Sequence, residues 1–220
     1  MDASAPYELA MFPLGQVLVP TAAVPLHVFE PRYRALVDHL VDQSDDHPHA
    51  REFGVVLITR GSEVGGGDTR GDLGTVARVR QAQRLDDGRW ALIAVGHRRC
   101  RVIEWLADDP WPRAVVTDLA EVADGDPTRV LPSVVAELRR TLAAATELGD
   151  PGPDATVEVS DDPVLASYQV SALAPIGPLD RQRLLAASGP AERLALAARL
   201  LAEQRELLEL RLGAEPEAGP

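Results

Sequence analysis

The stretch from Phe12 to Leu36 limits what this chain can fold into more than any other part of it. It reads Phe12-Pro13-Leu14, then Val17-Leu18-Val19-Pro20, then Pro25-Leu26-His27-Val28-Phe29-Glu30-Pro31-Arg32-Tyr33-Arg34-Ala35-Leu36. Short apolar runs broken by prolines predict strands that begin and end sharply, because proline cannot donate to a central ladder. A helix is predicted next. Pro31 suits a first helical position, and Tyr33, Leu36, Val37, Leu40 and Val41 recur at helical spacing, which gives one apolar face.

The pattern after this helix is mostly extended. Phe53 to Ile58 is a continuous apolar run of the kind found in buried strands, and the glycine-rich stretch Gly61 to Gly71 separates it from a strand over Leu73 to Leu85. Asp86-Asp87-Gly88-Arg89 predicts a hairpin turn. Separate strands are expected over Trp90 to Val95, Arg99 to Trp105 and Arg113 to Leu119, with a turn at Asp108-Asp109-Pro110. An acidic segment from Glu121 to Asp126 then changes the regime. Four helix starts follow, each a capping or permissive residue directly before proline: Asp126-Pro127, Asp162-Pro163, Gly177-Pro178 and Gly189-Pro190. The last helix carries Leu194, Ala197, Leu201, Leu208 and Leu212, widened by Leu196, Leu200 and Leu207, so it must pack on its neighbours. Gly149 to Asp161, rich in glycine, proline and aspartate, is expected to be a flexible loop. The expected organisation is a β-rich subdomain over 1–120 and a helical subdomain over 121–220.

Composition removes several functions. All 22 basic residues are arginine, so the chain has no lysine for a Walker A phosphate loop or for a Ser-Lys proteolytic dyad. The formal charge of −12 opposes nucleic-acid phosphates at long range. Arg78, Arg80, Arg84, Arg98, Arg99 and Arg101 nonetheless make a candidate stripe, weighed against a solvated outer face. No apolar run approaches the roughly 18 residues of a membrane span, and no basic leader precedes an apolar core. A cytoplasmic location is expected. The single cysteine, Cys100, has no internal disulfide partner.

Candidate chemistry is sparse. The glycine-rich stretch Gly61 to Asp68 lacks the lysine of a phosphate loop, and Glu63 and Asp68 within it oppose an anion; Ser62 and Ser188 each lack a recognisable base. His47 and His49 beside Asp45 and Asp46 have metal-donor chemistry, but a solvated loop is the better reading. His27 and His97 are read as structural. No metal, cofactor or catalytic residue is expected. Phe29, Glu30, Arg32 and Tyr33 are read first as the joint between strand and helix and second as the edge of a polypeptide groove. Trp111, between Pro110 and Pro112, is expected to be the most exposed of the three tryptophans.

The Phe12–Leu36 strip resembles the N-terminal, substrate-binding domain of the ATP-dependent protease Lon. Phe53-Gly54-Val55-Val56, Gly74-Thr75-Val76-Ala77, Gly88-Arg89 and Gly96-His97-Arg98-Arg99-Cys100-Arg101-Val102 follow in the order of that family's sheet motifs. Asp162-Pro163, Arg181 to Leu185 and Glu192-Arg193-Leu194 resemble its helical half. The resemblance implies an α+β fold, with a PUA-like β pseudo-barrel carrying an inserted helix, followed by an α-helical bundle. Cys100 stands where that family usually has an aromatic residue, and Thr21 where glycine is common. With the sequence ending at Pro220, the chain is similar to stand-alone bacterial proteins of this domain. The expected function is non-catalytic binding of unfolded or client polypeptides, with other proteostasis proteins as further partners. An RNA-binding PUA-like module and a cryptic hydrolase are the alternatives. Oligomeric state is not fixed by the sequence.

Overall fold

The protein is described by a computed structural model covering residues 5–43, 49–61, 67 and 69–214. It divides into two compact units, Met1–Ala120 and Glu121–Pro220. The first contains strands β1 (Tyr7–Leu14), β2 (Ala23–Val28), β3 (Glu52–Arg60), β4 (Thr69–Arg84), β5 (Trp90–Leu106) and β6 (Arg113–Leu119), with helix α1 (Pro31–Asp42) after β2. The sheet runs β2-β5-β4-β3-β1-β6, and β6 also pairs with β5, so five strands close into a ring with β2 alongside. β1 and β3 are parallel, and the other pairings are antiparallel.

Ring closure depends on β5 changing partners. Its first residues, Trp90 to Val95, pair with β2, whereas Arg99 to Leu106 pair with β6. The sequence suggests two strands here, separated near Gly96-His97; the structure has one, with a register shift opposite Val76 and Ala77. Gly96 makes this crossing possible. A Cβ there would collide with the Val19 carbonyl, and the Gly96 backbone exchanges hydrogen bonds with Thr21 and Ala22 at 2.8 and 2.9 Å. Val17-Leu18-Val19, just before Thr21, is buried without being a strand. Its carbonyls serve a turn and a side chain rather than a ladder: the Val19 carbonyl accepts the Ala22 amide at 3.2 Å, and the Leu18 carbonyl accepts the Thr75 hydroxyl at 2.7 Å.

Both faces of the central strands are covered. Phe12, Leu14, Phe53, Val55, Ala77 and Val79 turn to one cluster with Leu36, Val37 and Leu40 of α1. Leu9, Met11, Val56, Val76, Cys100 and Val116 form another. Alternate side chains of β1 and β3 thus serve two cores, which is why Phe53 to Leu57 reads as an unbroken apolar run. β2 has one covered face and strict exposed-buried alternation. Pro25 is tolerated there because β2 lies at the sheet edge. Cys100 is fully buried, and burial pushes its thiol up to about 12, so it behaves as a small hydrophobe.

A charged clamp sits where β1 and β3 begin and β6 ends. Glu52 is 3% exposed and accepts from Arg78 at 2.9 Å and from Arg98 at 3.0 and 2.8 Å. Arg98 also donates to Asp118 at 2.7 Å and to the Tyr7 hydroxyl at 2.9 Å, and that hydroxyl donates to Asp118 at 2.6 Å. Burial pushes the Glu52 carboxyl up, but the hydrogen bond and charge of Arg98, helped by His49 and Arg78, hold it below the usual carboxylate range. Burial and the bond to Asp118 push the Tyr7 hydroxyl upward, so it remains a donor.

The second unit consists of a short 3-10 turn (Pro127–Arg129) and helices α2 (Leu131–Glu147), α3 (Pro163–Leu173), α4 (Pro178–Ala186) and α5 (Pro190–Ala214). Asp126-Pro127 starts the turn, not the α-helix itself. Leu138, Leu142, Leu184, Leu194 and Leu201 make the core. Arg193 is wholly buried among them. It donates to Ser167 at 2.8 Å, to Glu121 at 3.1 Å and to carbonyls of Leu184 and Ala187, and it lies 3.9 Å over the Tyr168 ring. The Asp124 carboxylate caps α5, accepting from the Ala191 and Glu192 amides at 3.0 and 2.7 Å. Gly189 is required where Val122 and Asp124 press on its α-carbon. The Gly149–Asp161 segment has no regular structure but is tied down: Val157 and Val159 pack on the core, and the Ser160 amide donates to Gln169 at 2.8 Å.

Two outcomes follow for the first unit, and all three tryptophans lie within it, so their fluorescence reports its unfolding. Thr21 holds φ at +70°, a left-handed conformation that β-branched residues resist. Thr21→Gly raises stability by about 0.5–1 kcal/mol, seen as a higher urea midpoint at unchanged slope. The Glu52 contribution is complete above the ordinary glutamate range and is lost as pH falls through its depressed native value. Glu52→Gln costs about 3 kcal/mol at neutral pH and flattens the acid limb of a stability–pH curve; an unchanged limb would show that the clamp does not govern acid sensitivity.

Candidate functional site

The corner after β2 is built from local chemistry. Glu30 stands at the N-terminus of α1 without capping it through its side chain; its carboxylate instead pairs with Arg32 at 3.3 Å. Pro31 fixes the first helical turn. Tyr33, the next aromatic, turns inward. It is 4% exposed and stacks on Phe12 with ring centroids 4.1 Å apart, under the Arg32 guanidinium at 4.6 Å. Phe29 turns outward and is 52% exposed. A groove of about 210 Å³ opens beside it, lined by Phe12, Leu14, Leu26, His27 and Tyr33 among others. Of the four corner residues, Phe29 therefore offers the apolar surface, while Tyr33 anchors the joint.

Trp111 lies on the same helix's flank. Arg32 and His39 are seven residues apart and share one side of α1. Arg32 approaches Asp108 at 3.8 Å, and His39 lies 5.1 Å from the Trp111 ring. The connection between β5 and β6 thus runs along α1, held further by Arg70, which donates to both Asp108 oxygens at 3.4 Å and lies 4.8 Å over Trp105. Trp111 is half-buried against the α1 core rather than standing out from its loop, and Trp105 is half-buried too. Trp90 is buried and donates to Asp38 at 3.2 Å.

A second groove, about 430 Å³, lies along Trp111, with Leu9, His39, Leu40 and the Glu52 side chain in its lining. Tyr7 and His49 stack nearly parallel, 4.2 Å apart, and His49 meets Glu52 at 3.3 Å. His49 is thus part of the Glu52 surroundings rather than a solvated loop residue; Asp45, Asp46 and His47 lie outside the described residues. Neither His39 nor His49 was marked as a groove residue by local pattern. The seven-residue spacing of Arg32 and His39 was the signal for the first, and nothing local announced the second, which the β1–β3 pairing brings to Tyr7.

The arginines proposed as a stripe are dispersed. Arg78 and Arg98 turn to Glu52, Arg99 is buried and donates to the Ala120 carbonyl at 3.2 Å, and Arg101 pairs with Asp72. Arg80 and Arg84 face outward. His27 and His97, read as structural, are both exposed. Ser188 lies just before α5, its amide and hydroxyl donating to Glu192 at 2.9 and 2.6 Å. Ser62 and most of the glycine-rich stretch lie outside the described residues. Among the described residues, no three His, Cys, Asp or Glu side chains are grouped to hold a metal ion, and no helix is long and apolar enough to cross a membrane.

Comparison with known proteins agrees with this architecture. Lon protease 2 of Herpetosiphon aurantiacus is 25% identical over 215 residues, covering 96% of this chain and 25% of the relative. The Lon protease of Brevibacillus choshinensis is 25% identical over 213 residues, covering 92% of this chain and 26% of its own. The chain thus spans about a quarter of the length of these relatives. A crystal structure of a Lon N-terminal domain protein from Xanthomonas campestris superposes with a TM-score of 0.61 at 27% identity, over 89% of this chain and 98% of that one. The N-terminal domain of Mycobacterium avium complex Lon protease shares the fold, with a TM-score of 0.62 at 18% identity over 91% and 98% of the two chains. The profile of the ATP-dependent protease La (LON) substrate-binding domain matches residues 8–203, and the chain belongs to that family.

Proposed function

We propose that this protein binds segments of non-native polypeptide through the α1 flank and performs no chemistry on them. The observation that carries the reading is the pairing of outward-facing Phe29 at one end of α1 with the Trp111 groove toward the other. From Pro31 to His39 the helix rises about 12 Å, the span of roughly four residues of extended chain. A short unfolded segment therefore reaches both features at once. A folded surface does not follow such a path as readily, because its side chains are already committed to their own core. Membership of a substrate-binding family supports a protein ligand in general. The absence of lysine removes the Ser-Lys dyad and the Walker A loop from this chain.

The site residues divide by role. Phe29 and Trp111 supply contact area, since aromatic rings bury much surface at low entropic cost. Glu30 and Arg32 hold the helix entry and the β5–β6 connection in place. Tyr33 supports the wall from inside.

Binding is measured by fluorescence anisotropy with a labelled, permanently unfolded protein. Phe29→Ala and Trp111→Ala each weaken it about tenfold, the size expected for an aromatic anchor. Tyr33→Ala instead lowers the unfolding free energy of the first unit by about 3 kcal/mol. Affinity for the unfolded ligand that is untouched by both surface variants would remove the α1 flank from consideration. No binding at millimolar ligand would remove the function.

A further inference from the structure

We infer that the groove beside Trp111 selects polypeptide segments carrying a basic side chain, arginine or lysine, next to an apolar one; this rests on the polypeptide-binding reading and names its substrate class. The groove's charges decide it. Three carboxylates line the groove, those of Glu8, Glu52 and Asp109, against one guanidinium, that of Arg113, and the imidazoles of His39 and His49. Arg113 is committed to Glu8 at 2.9 Å, and Glu52 to Arg78 and Arg98. Asp109 is left over. It is exposed, and no hydrogen bond or ion pair engages its carboxylate among the described residues.

Asp109 is two residues from Trp111, its amide donates to the Trp111 carbonyl at 3.1 Å, and both residues line the same groove. An arginine or lysine fits both features together. Its aliphatic stem lies along the apolar wall of Leu9, Leu40 and Trp111 while its charged head reaches the Asp109 carboxylate, the division of labour such side chains adopt at any mixed surface. A glutamate or aspartate in the same place meets unneutralised Asp109, and the one guanidinium in the lining, Arg113, is already engaged by Glu8. The overall charge of −12, with histidines counted neutral, biases encounter the same way. A phosphate-bearing ligand is opposed on both counts.

The test uses the full chain and three labelled peptides of one apolar sequence that differ at a central position: arginine, glutamine or glutamate. The arginine peptide binds about five- to tenfold more tightly than the glutamine peptide at low salt, the glutamate peptide binds most weakly, and added salt compresses the differences. Asp109→Asn brings the arginine-to-glutamine affinity ratio to within about twofold, and Asp109→Arg inverts the order of arginine and glutamate. Because Asp109 is exposed and bonded only through its backbone, both variants fold, and an unchanged melting temperature checks this. Equal binding of the three peptides, or a preference that survives Asp109→Asn, overturns the basic-residue selection while leaving polypeptide binding intact. Failure of all three to bind overturns both.

Discussion

The β-rich unit depends on one strand being able to belong to two neighbours in turn, and Arg98 is the side chain that secures the exchange. β5 leaves β2 and takes up β6 across Gly96 to Arg98. Where the ladder shifts, Arg98 reaches Glu52 on β3, Tyr7 on β1 and Asp118 on β6. Three strands that are remote in sequence are thus referred to one guanidinium. Such a cluster adds little net stability over a well-packed apolar alternative, but a partner left alone in it is costly. Its value lies in register. Slipping β5 by one residue would turn Arg98 away and leave Glu52, which is almost wholly buried, without its principal cation.

Closure of the ring also fixes the walls of the two grooves beside α1. The connection from β5 to β6 must return along α1, and Arg32, Asp108 and Arg70 fasten it there. Trp111 therefore comes from a tethered segment, not from a mobile loop tip. The grooves beside Phe29 and Trp111 are walled by side chains whose inner faces belong to the core: Tyr33 is stacked on Phe12, and Leu40 is buried. Groove walls and folding core share residues, so on the proposed binding reading the walls are rigid before a ligand arrives, which lowers the entropic cost of binding.

Much of this was legible in the residue order. The helix face of Tyr33, Leu36, Val37 and Leu40, the buried run of β3, the Asp86–Arg89 turn and the proline-marked helix starts are local patterns, and local patterns survive folding. What sequence did not disclose arose from long-range pairing. Val17-Leu18-Val19 looks like a strand but gives its carbonyls to a turn and to the Thr75 hydroxyl, and Gly96-His97 looks like a break but is a shift within one strand. The arginines of β4 and β5 look like a surface stripe, yet buried Glu52 draws two of them inward. Nothing in the spacing of Tyr7, His49, Glu52 and Arg98 announces that they meet. Trp111 was marked by its flanking prolines, whereas its companion His39 is visible only once the loop is laid along α1.

The clamp and the groove meet at Glu52, and this separates what is constant about the site from what is selective. Glu52 forms part of the groove wall, but its oxygens are engaged by Arg78, Arg98 and His49, and those partners keep it ionised well into the acid range. The inner wall is therefore neutralised and held in one arrangement across the neutral pH range. On the proposed reading, selectivity is left to the rim, where Asp109 stands in solvent on a segment the scaffold already holds. A rim charge adjusts preference without disturbing the fold, because surface carboxylates contribute little to stability. A change at Glu52 cannot be confined in that way, since it would unsettle β1, β3 and β6 together. On that reading, variation in what is bound is cheapest at positions such as Asp109 and Phe29, and most expensive at the clamp.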